Sequence, residues 1–275
     1  MKFSEKSDYG FAVGRVRAKE SLLIKRNEYE RLASVKSEDE LVSLLKPIWY
    51  LETPEREAKT FENLLTFARD DNTSFFLRYC TDSLVKELFP DITVLKTKQL
   101  ISYLKNLNNE FLIRYFTVAI DLENIRSFIR VKNLAVREKQ ELPAMRGGSE
   151  TTQKKLFSKN YLNAGSIEQS ALSELLPESW DNIIHWSDKT PYKYCIERGI
   201  NYLLEQKSFI RLERLIEEEK QKILIQARYA VFGYEPLVAY YLFKENEITN
   251  LRKIFYGITE YSPISQIRES IACIL

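Results

Sequence analysis

Apolar residues recur at helical intervals along most of this chain, and the breaks between the periodic stretches are short. Asp8 or Ser7 can cap a first helix reaching about Val35, with Val13, Val16, Leu23 and Leu32 among its apolar positions. Ser37-Glu-Asp-Glu40 is a capping box, in which the serine oxygen accepts from an unpaired amide and Glu40 reaches back. It opens a short helix ending near Pro47. Thr53-Pro54, Thr190-Pro191 and Ser262-Pro263 each set an N-cap hydroxyl before a proline at the first helical position, where the missing N–H costs nothing. Between these signals, helical periods run over roughly 55–70, 73–88, 97–107, 110–133, 191–205, 208–231 and 235–256. The stretch 208–231 is charged throughout, with Glu217–Gln221 and Glu218–Lys222 at i,i+4 spacing, which predicts a long, largely solvated helix. From about Glu138 to Ser166 no apolar period is visible. That predicts a loop, after which Ser166-Ile-Glu-Gln169 caps the next helix.

Composition supports an all-α chain. Only 8 glycines and 8 prolines occur in 275 residues, about 3% each against usual levels of about 7% and 5%. Few turns imply long elements, and 44% hydrophobic residues are enough to bury them. Charge points to no partner: 41 basic and 39 acidic residues leave a net +2, whereas nucleic-acid binding usually shows as a basic excess or stripe. No run of 18 apolar residues occurs and the start lacks the apolar core of a signal peptide, so a cytoplasmic location is expected.

The scarce reactive residues remove whole classes of chemistry. One histidine, His185, and three dispersed cysteines, Cys80, Cys195 and Cys273, supply no paired zinc-ligand spacing. No nucleophile motif accompanies His185, which reads as a structural or surface residue; the cysteines read as buried thiols. Arg146-Gly147-Gly148-Ser149 lacks both the preceding strand and the Lys-Ser/Thr of a phosphate loop. No catalytic, cofactor or metal site is expected.

One pattern occurs twice. Asp121-Leu-Glu-Asn124-Ile-Arg126-Ser-Phe128 and Glu247-Ile-Thr-Asn250-Leu-Arg252-Lys-Ile254 both read acid-x-x-Asn-aliphatic-Arg-x-apolar, 126 residues apart. On a helix the acid, the Asn and the later apolar residue share one face, with the arginine around the side. Chance similarity between two amphipathic helices is the plain explanation. The sharper one is an internal repeat with a buried carboxylate–amide pair at equivalent helix junctions, since such groups must be paired and tend to fix one packing arrangement. Ala12-x-x-Arg15-Val-Arg17-x-x-Glu20 is a looser third echo. Three long helices starting near 8, 110 and 235 suggest a pseudo-threefold object, with the N-terminal helix closing onto the C-terminal one.

These blocks carry a resemblance. Tyr9-Gly10 through Arg15, Arg17, Glu20 and Leu23, the Asp121–Arg130 helix, and Glu235-Pro-Leu through Lys244-Glu-Asn-Glu247-Ile-Thr-Asn250-Leu-Arg252 resemble the C subunits of V-type (A-type) ATP synthases, relatives of the vacuolar ATPase d subunits. Tyr161-Leu-Asn-Ala-Gly165-Ser-Ile167 is a weaker match, with Ala164 where a second glycine is common. The resemblance implies a funnel-like helical array of three pseudo-threefold related domains, approximately 1–108, 109–232 and 233–275. It implies a non-catalytic central-rotor component that forms a socket between the central-shaft subunits and the proteolipid rotor ring, peripheral on the cytoplasmic face of the membrane. Arg15, Arg17, Glu20, Asp121, Asn124, Arg126, Glu235, Glu247, Asn250 and Arg252 are then candidates for holding helices together or for touching partners. A helical adaptor unrelated to rotary motors is the chief alternative. An enzyme using Asp121 or Glu247 as acid or base would need those groups in an open pocket with shifted pKa values.

Overall fold

The structure, a computed structural model, describes residues 9–49, 60–81, 109–141 and 150–275, together with Val85 and Asn106. Twelve α-helices and one 3-10 helix form among them, and no strand, so the all-α class holds. In chain order they are α1 Gly10–Glu20, α2 Arg26–Leu32, α3 Glu38–Ile48, α4 Phe61–Tyr79, α5 Glu110–Glu141 and α6 Glu150–Asn160. There follow α7 Gln169–Glu174, α8 Trp180–Ser187, α9 Lys193–Gln206, α10 Ile210–Leu224 running into the 3-10 turn Ile225–Tyr229, α11 Glu235–Thr259 and α12 Ile264–Ser270.

Local chemistry explains many of the ends. Ser37 accepts from the amide of Glu40 at 3.3 Å, while the Glu40 carboxylate accepts from Lys36 N–H at 3.0 Å, one residue before the position a strict capping box uses. Thr60 caps α4 and Ser179 caps α8 in the same way. Pro236 lies in the first turn of α11, where its missing N–H costs no bond.

Three apolar cores result. The first joins α1, the C-terminal half of α4 and the first halves of α5 and α11, through residues such as Val16, Phe76, Phe116 and Val238. The second gathers α2, α3, the first half of α4, the second half of α11 and the chain's final residues. The third packs the middle of α5 against α6 to α10. Both long helices therefore leave the first core and enter another: α5 between Ile120 and Leu122, α11 between Phe243 and Ile248. Asp121 and Glu247 sit at these two passages.

Several sequence expectations are corrected. The first helix does not run to Val35 but breaks after Glu20, because the Ile24 amide is taken by the Glu247 carboxylate. The periods at 55–70 and 73–88 are one helix across 61–79: buried Asn72 gives its amide to the Tyr241 carbonyl and the Glu245 carboxylate. The expected 138–166 loop contains the end of α5 and all of α6, which is anchored by buried Phe157. α10 is not largely solvated, since Leu212, Leu215 and Ile216 are core residues. Ser166 caps no helix; its hydroxyl goes to Asp121 instead. Thr53-Pro54, the period at 97–107 apart from Asn106, and Arg146–Ser149 lie outside the described residues.

Candidate functional site

The acid–asparagine pairs form two matched junctions. Asp121, Asn124 and Asn250 are 0% exposed and Glu247 is 2% exposed. A buried side chain of this kind must be hydrogen-bonded to be tolerated, and each one is.

In both junctions the asparagine brackets one residue of a distant segment. Asn124 donates to the Leu162 carbonyl at 2.9 Å and accepts from the Leu162 amide at 2.8 Å. Asn250 donates to the Ala272 carbonyl at 2.8 Å and accepts from the Ala272 amide at 3.2 Å. A primary amide offers one donor edge and one acceptor edge, so it replaces the partner strand that an extended segment lacks. The Ala272 carbonyl also receives Gln221 at 3.1 Å and Asn246 at 3.0 Å.

The carboxylate one turn earlier then gathers further donors. Asp121 accepts from Ser166 N–H at 2.7 Å, Ile167 N–H at 3.0 Å, the Ser166 hydroxyl at 2.5 Å and the Tyr192 hydroxyl at 2.9 Å. Glu247 accepts from Ile24 N–H at 2.7 Å, the Trp49 indole N–H at 2.5 Å and the Lys244 ammonium. A buried tyrosine stands beside each acid. Burial, with Asp121 next to it, pushes the Tyr192 hydroxyl well up, so it stays a donor. Burial, with Glu247 second, does the same at Tyr29. Gly165 fits against the first carboxylate because it has no side chain: a Cβ there would lie 2.2 Å from Asp121 Oδ1. Its neighbour Ala164 holds φ at 101°, a region that glycine adopts far more readily.

A third contact joins the starts of the two long helices. Asn109 Nδ2 donates to the buried Glu235 carboxylate at 2.6 Å, and Asn109 Oδ1 caps α5 through Leu112 N–H at 3.0 Å. These two residues are also 126 apart. The contact lies between corresponding positions of the two helices.

The arginines stand elsewhere. Arg126 pairs with Glu123 at 2.7 Å, Glu213 at 2.9 Å and Glu217 at 3.4 Å, linking α5 to α10. Burial alone would raise the Glu217 carboxyl, but Lys220, Arg126 and Lys253 together hold it below its ordinary range. Arg17 pairs with Glu20 at 2.9 Å and donates to the carbonyls of Ala227, Arg228 and Ala230, which ties α1 to the chain just before α11. Arg15 is exposed, its guanidinium over the rings of Phe11 and Tyr79. Arg252 is half-buried on α11. His185 is exposed near Asp188, and burial pushes the Cys195 thiol up to about 12. Sequence reasoning found both acids and both asparagines. It missed Tyr192, Trp49, Asn109 and the backbone groups of Leu162 and Ala272.

Acid–base chemistry needs a carboxylate that a substrate can reach, and Asp121 and Glu247 are enclosed and fully engaged by donors. The arrangement defines an all-α framework protein whose charged and amide side chains lock long helices to backbone. The chain belongs to the ATP synthase (C/AC39) subunit family, whose pattern matches residues 96–270. Both repeat helices lie inside that range, and the opening block at residues 9–23 lies outside it. No curated protein matches the chain. Membership makes the chain a component of a V-type ATP synthase complex, an accessory and peripheral part of a membrane ATPase. Among the described residues no helix is long and apolar enough to cross a membrane.

Proposed function

We propose that this chain is the non-catalytic socket of a V-type/A-type rotary ATPase. In this role it joins the central-shaft subunits to the proteolipid ring on the cytoplasmic face, so that the two turn together and ATP hydrolysis or synthesis is coupled to ion transport. The matched junctions carry the reading. A part that passes torque must resist shear between its helices, and a long helix held at the seam between two cores by enclosed, fully paired polar groups has no low-cost way to slide. Arg17 on three carbonyls and Asn109 on Glu235 brace the shared first core in the same manner.

Three repeats of roughly 1–108, 109–232 and 233–275 around a pseudo-threefold axis would suit a socket, with α1 closing against α11. Contact with a ring of different symmetry would rest on many exposed polar contacts, each about 0–1 kcal/mol. In this reading Asp121, Asn124, Glu235, Glu247, Asn250, Arg17, Glu20 and Arg126 hold helices, and Arg15 and Arg252 are the members freest to meet partners.

The test is affinity purification of the tagged protein from gently solubilised membranes of its own source. Recovery of ring and shaft subunits, with the head complex following, supports the socket. Recovery of unrelated proteins without ATPase subunits refutes it and leaves a helical adaptor.

A further inference from the structure

α12 folds back along α11. Lys253 donates to the Ser270 carbonyl at 2.9 Å, and Gly257 lies so close to Ile267 that a Cβ there would stand 2.6 Å from its side chain. Near the end of α11, Phe255 stacks on Phe61 at 4.5 Å. The turn between the two helices is therefore held firmly. It is a Schellman ending: Ser262 N–H donates to the Gly257 carbonyl at 2.8 Å and Tyr261 N–H to the Ile258 carbonyl at 3.2 Å. Tyr261 occupies the left-handed position of this motif, with φ at 54°, where glycine is the usual residue. A Cβ at such a φ costs stability. Tyr261 is nevertheless 93% exposed, so packing of its ring offsets almost none of that cost.

The residues around Tyr261 form an apolar tip with a basic collar. Tyr256 and Ile264 are 49% and 45% exposed, and Pro263 is exposed beside them. Every residue from Thr259 to Gln266 except Ser262 is exposed, so the turn is a projecting edge. Arg252 stands one turn, about 6 Å, behind Tyr256 on α11, and Arg268 one turn behind Ile264 on α12. Neither arginine makes an ion pair among the described residues, and the adjacent Glu269 is taken by Arg211 and Arg214. Glu260 is the carboxylate of the turn, set against these two cations. Protruding apolar groups with cations one turn back suit an anionic lipid surface: the rings enter the headgroup region while guanidinium groups on long stems reach its phosphates. A partner helix is received by a groove, which a projecting edge does not supply. A second copy would set arginine against arginine.

We propose that the α11–α12 turn is a contact site for anionic phospholipid headgroups, with Tyr261, Pro263 and Ile264 entering the interface and Arg252 and Arg268 holding phosphates. The contact is with lipid itself and is independent of the socket reading, since it needs no ATPase subunit. Tyrosine at the left-handed position then weakens the fold and strengthens the interface, so one substitution moves the two in opposite directions. Tyr261→Gly relieves the strain and raises the melting temperature, yet lowers vesicle binding about tenfold. Arg252→Gln and Arg268→Gln each lower binding about fivefold, with the melting temperature little changed.

The deciding experiment is co-sedimentation of the purified full chain with phosphatidylcholine vesicles containing about one third phosphatidylglycerol, against phosphatidylcholine alone. Binding to the anionic vesicles that is weak on neutral ones and reduced in all three variants, with Tyr261→Gly melting above the parent, supports the proposal. No binding to anionic vesicles overturns it, as does binding that Tyr261→Gly leaves unchanged or that is equal on neutral vesicles. A lowered melting temperature for Tyr261→Gly overturns it as well, because the tyrosine would then serve the fold. The socket reading survives each of these results, and its own failure in affinity purification would leave this contact standing.

Discussion

Asp121 offers the sharpest test of the junctions. Alanine at this position would remove the acceptor of four hydrogen bonds inside an enclosed site. The hydroxyls of Ser166 and Tyr192 can rotate toward other acceptors, but the Ser166 and Ile167 amides are fixed by the chain. Each buried donor left unpaired costs about 1–3 kcal/mol, so Asp121→Ala is expected to destabilise by about 4 kcal/mol, a large part of the roughly 5–15 kcal/mol that holds a domain together. Asp121→Asn keeps an oxygen where Oδ1 receives both amides, and its new N–H groups can donate to the two hydroxyls. Only the charge-assisted part of the bonding is lost, about 1–2 kcal/mol. Urea unfolding followed by circular dichroism, with an unchanged m-value, measures both. Equal costs for the two variants, or a cost below about 1 kcal/mol for alanine, would refute the account of this junction.

The other predictions concern single features. Ala164→Gly relieves the positive φ and should stabilise by about 1 kcal/mol in the same unfolding assay; no gain would show that the turn is unstrained. Asn124→Ala should cost more than Asn250→Ala, because the Ala272 carbonyl keeps Gln221 and Asn246 when Asn250 is lost; a reversed order would contradict this reading of the brackets. The depressed Glu217 carboxyl contributes stability that is present above about pH 4.5, its ordinary value, and is lost as pH falls through the lower folded value. Glu217→Gln should therefore flatten the fall in melting temperature between neutral and acid pH, and parallel curves for variant and parent would refute the assignment.

What could be read from the sequence depended on whether the deciding contact was local. α9 and α11 were legible from their apolar period, although the proline signals were misplaced: α9 is capped at Tyr192 and not at Thr190, and Pro263 is itself the N-cap of α12. The acid–asparagine repeat was legible because both members of each pair lie one turn apart. The end of the first helix was not: Leu22 and Leu23 keep the period going, and the break is set by Glu247, 223 residues away along the chain. The run Asp70-Asp71-Asn72-Thr73-Ser74 imitates a helix breaker, yet Asn72 is buried against α11 and the helix continues. α10 looked solvated because its charges hide five core aliphatics, and much of that charge meets Arg126, Lys253 and Glu269 on neighbouring helices. Tyr192, Trp49, Leu162 and Ala272 carry no signature of their own as junction partners. Two of them take part only through their backbone, which any residue possesses.

The most direct measurement of the central claim compares ATP hydrolysis with ATP-driven ion pumping in membranes lacking this chain, before and after adding the purified protein. The socket account predicts that hydrolysis persists in the head complex while pumping is lost, and that the added chain restores pumping. Pumping that continues at full rate in its absence would contradict the account.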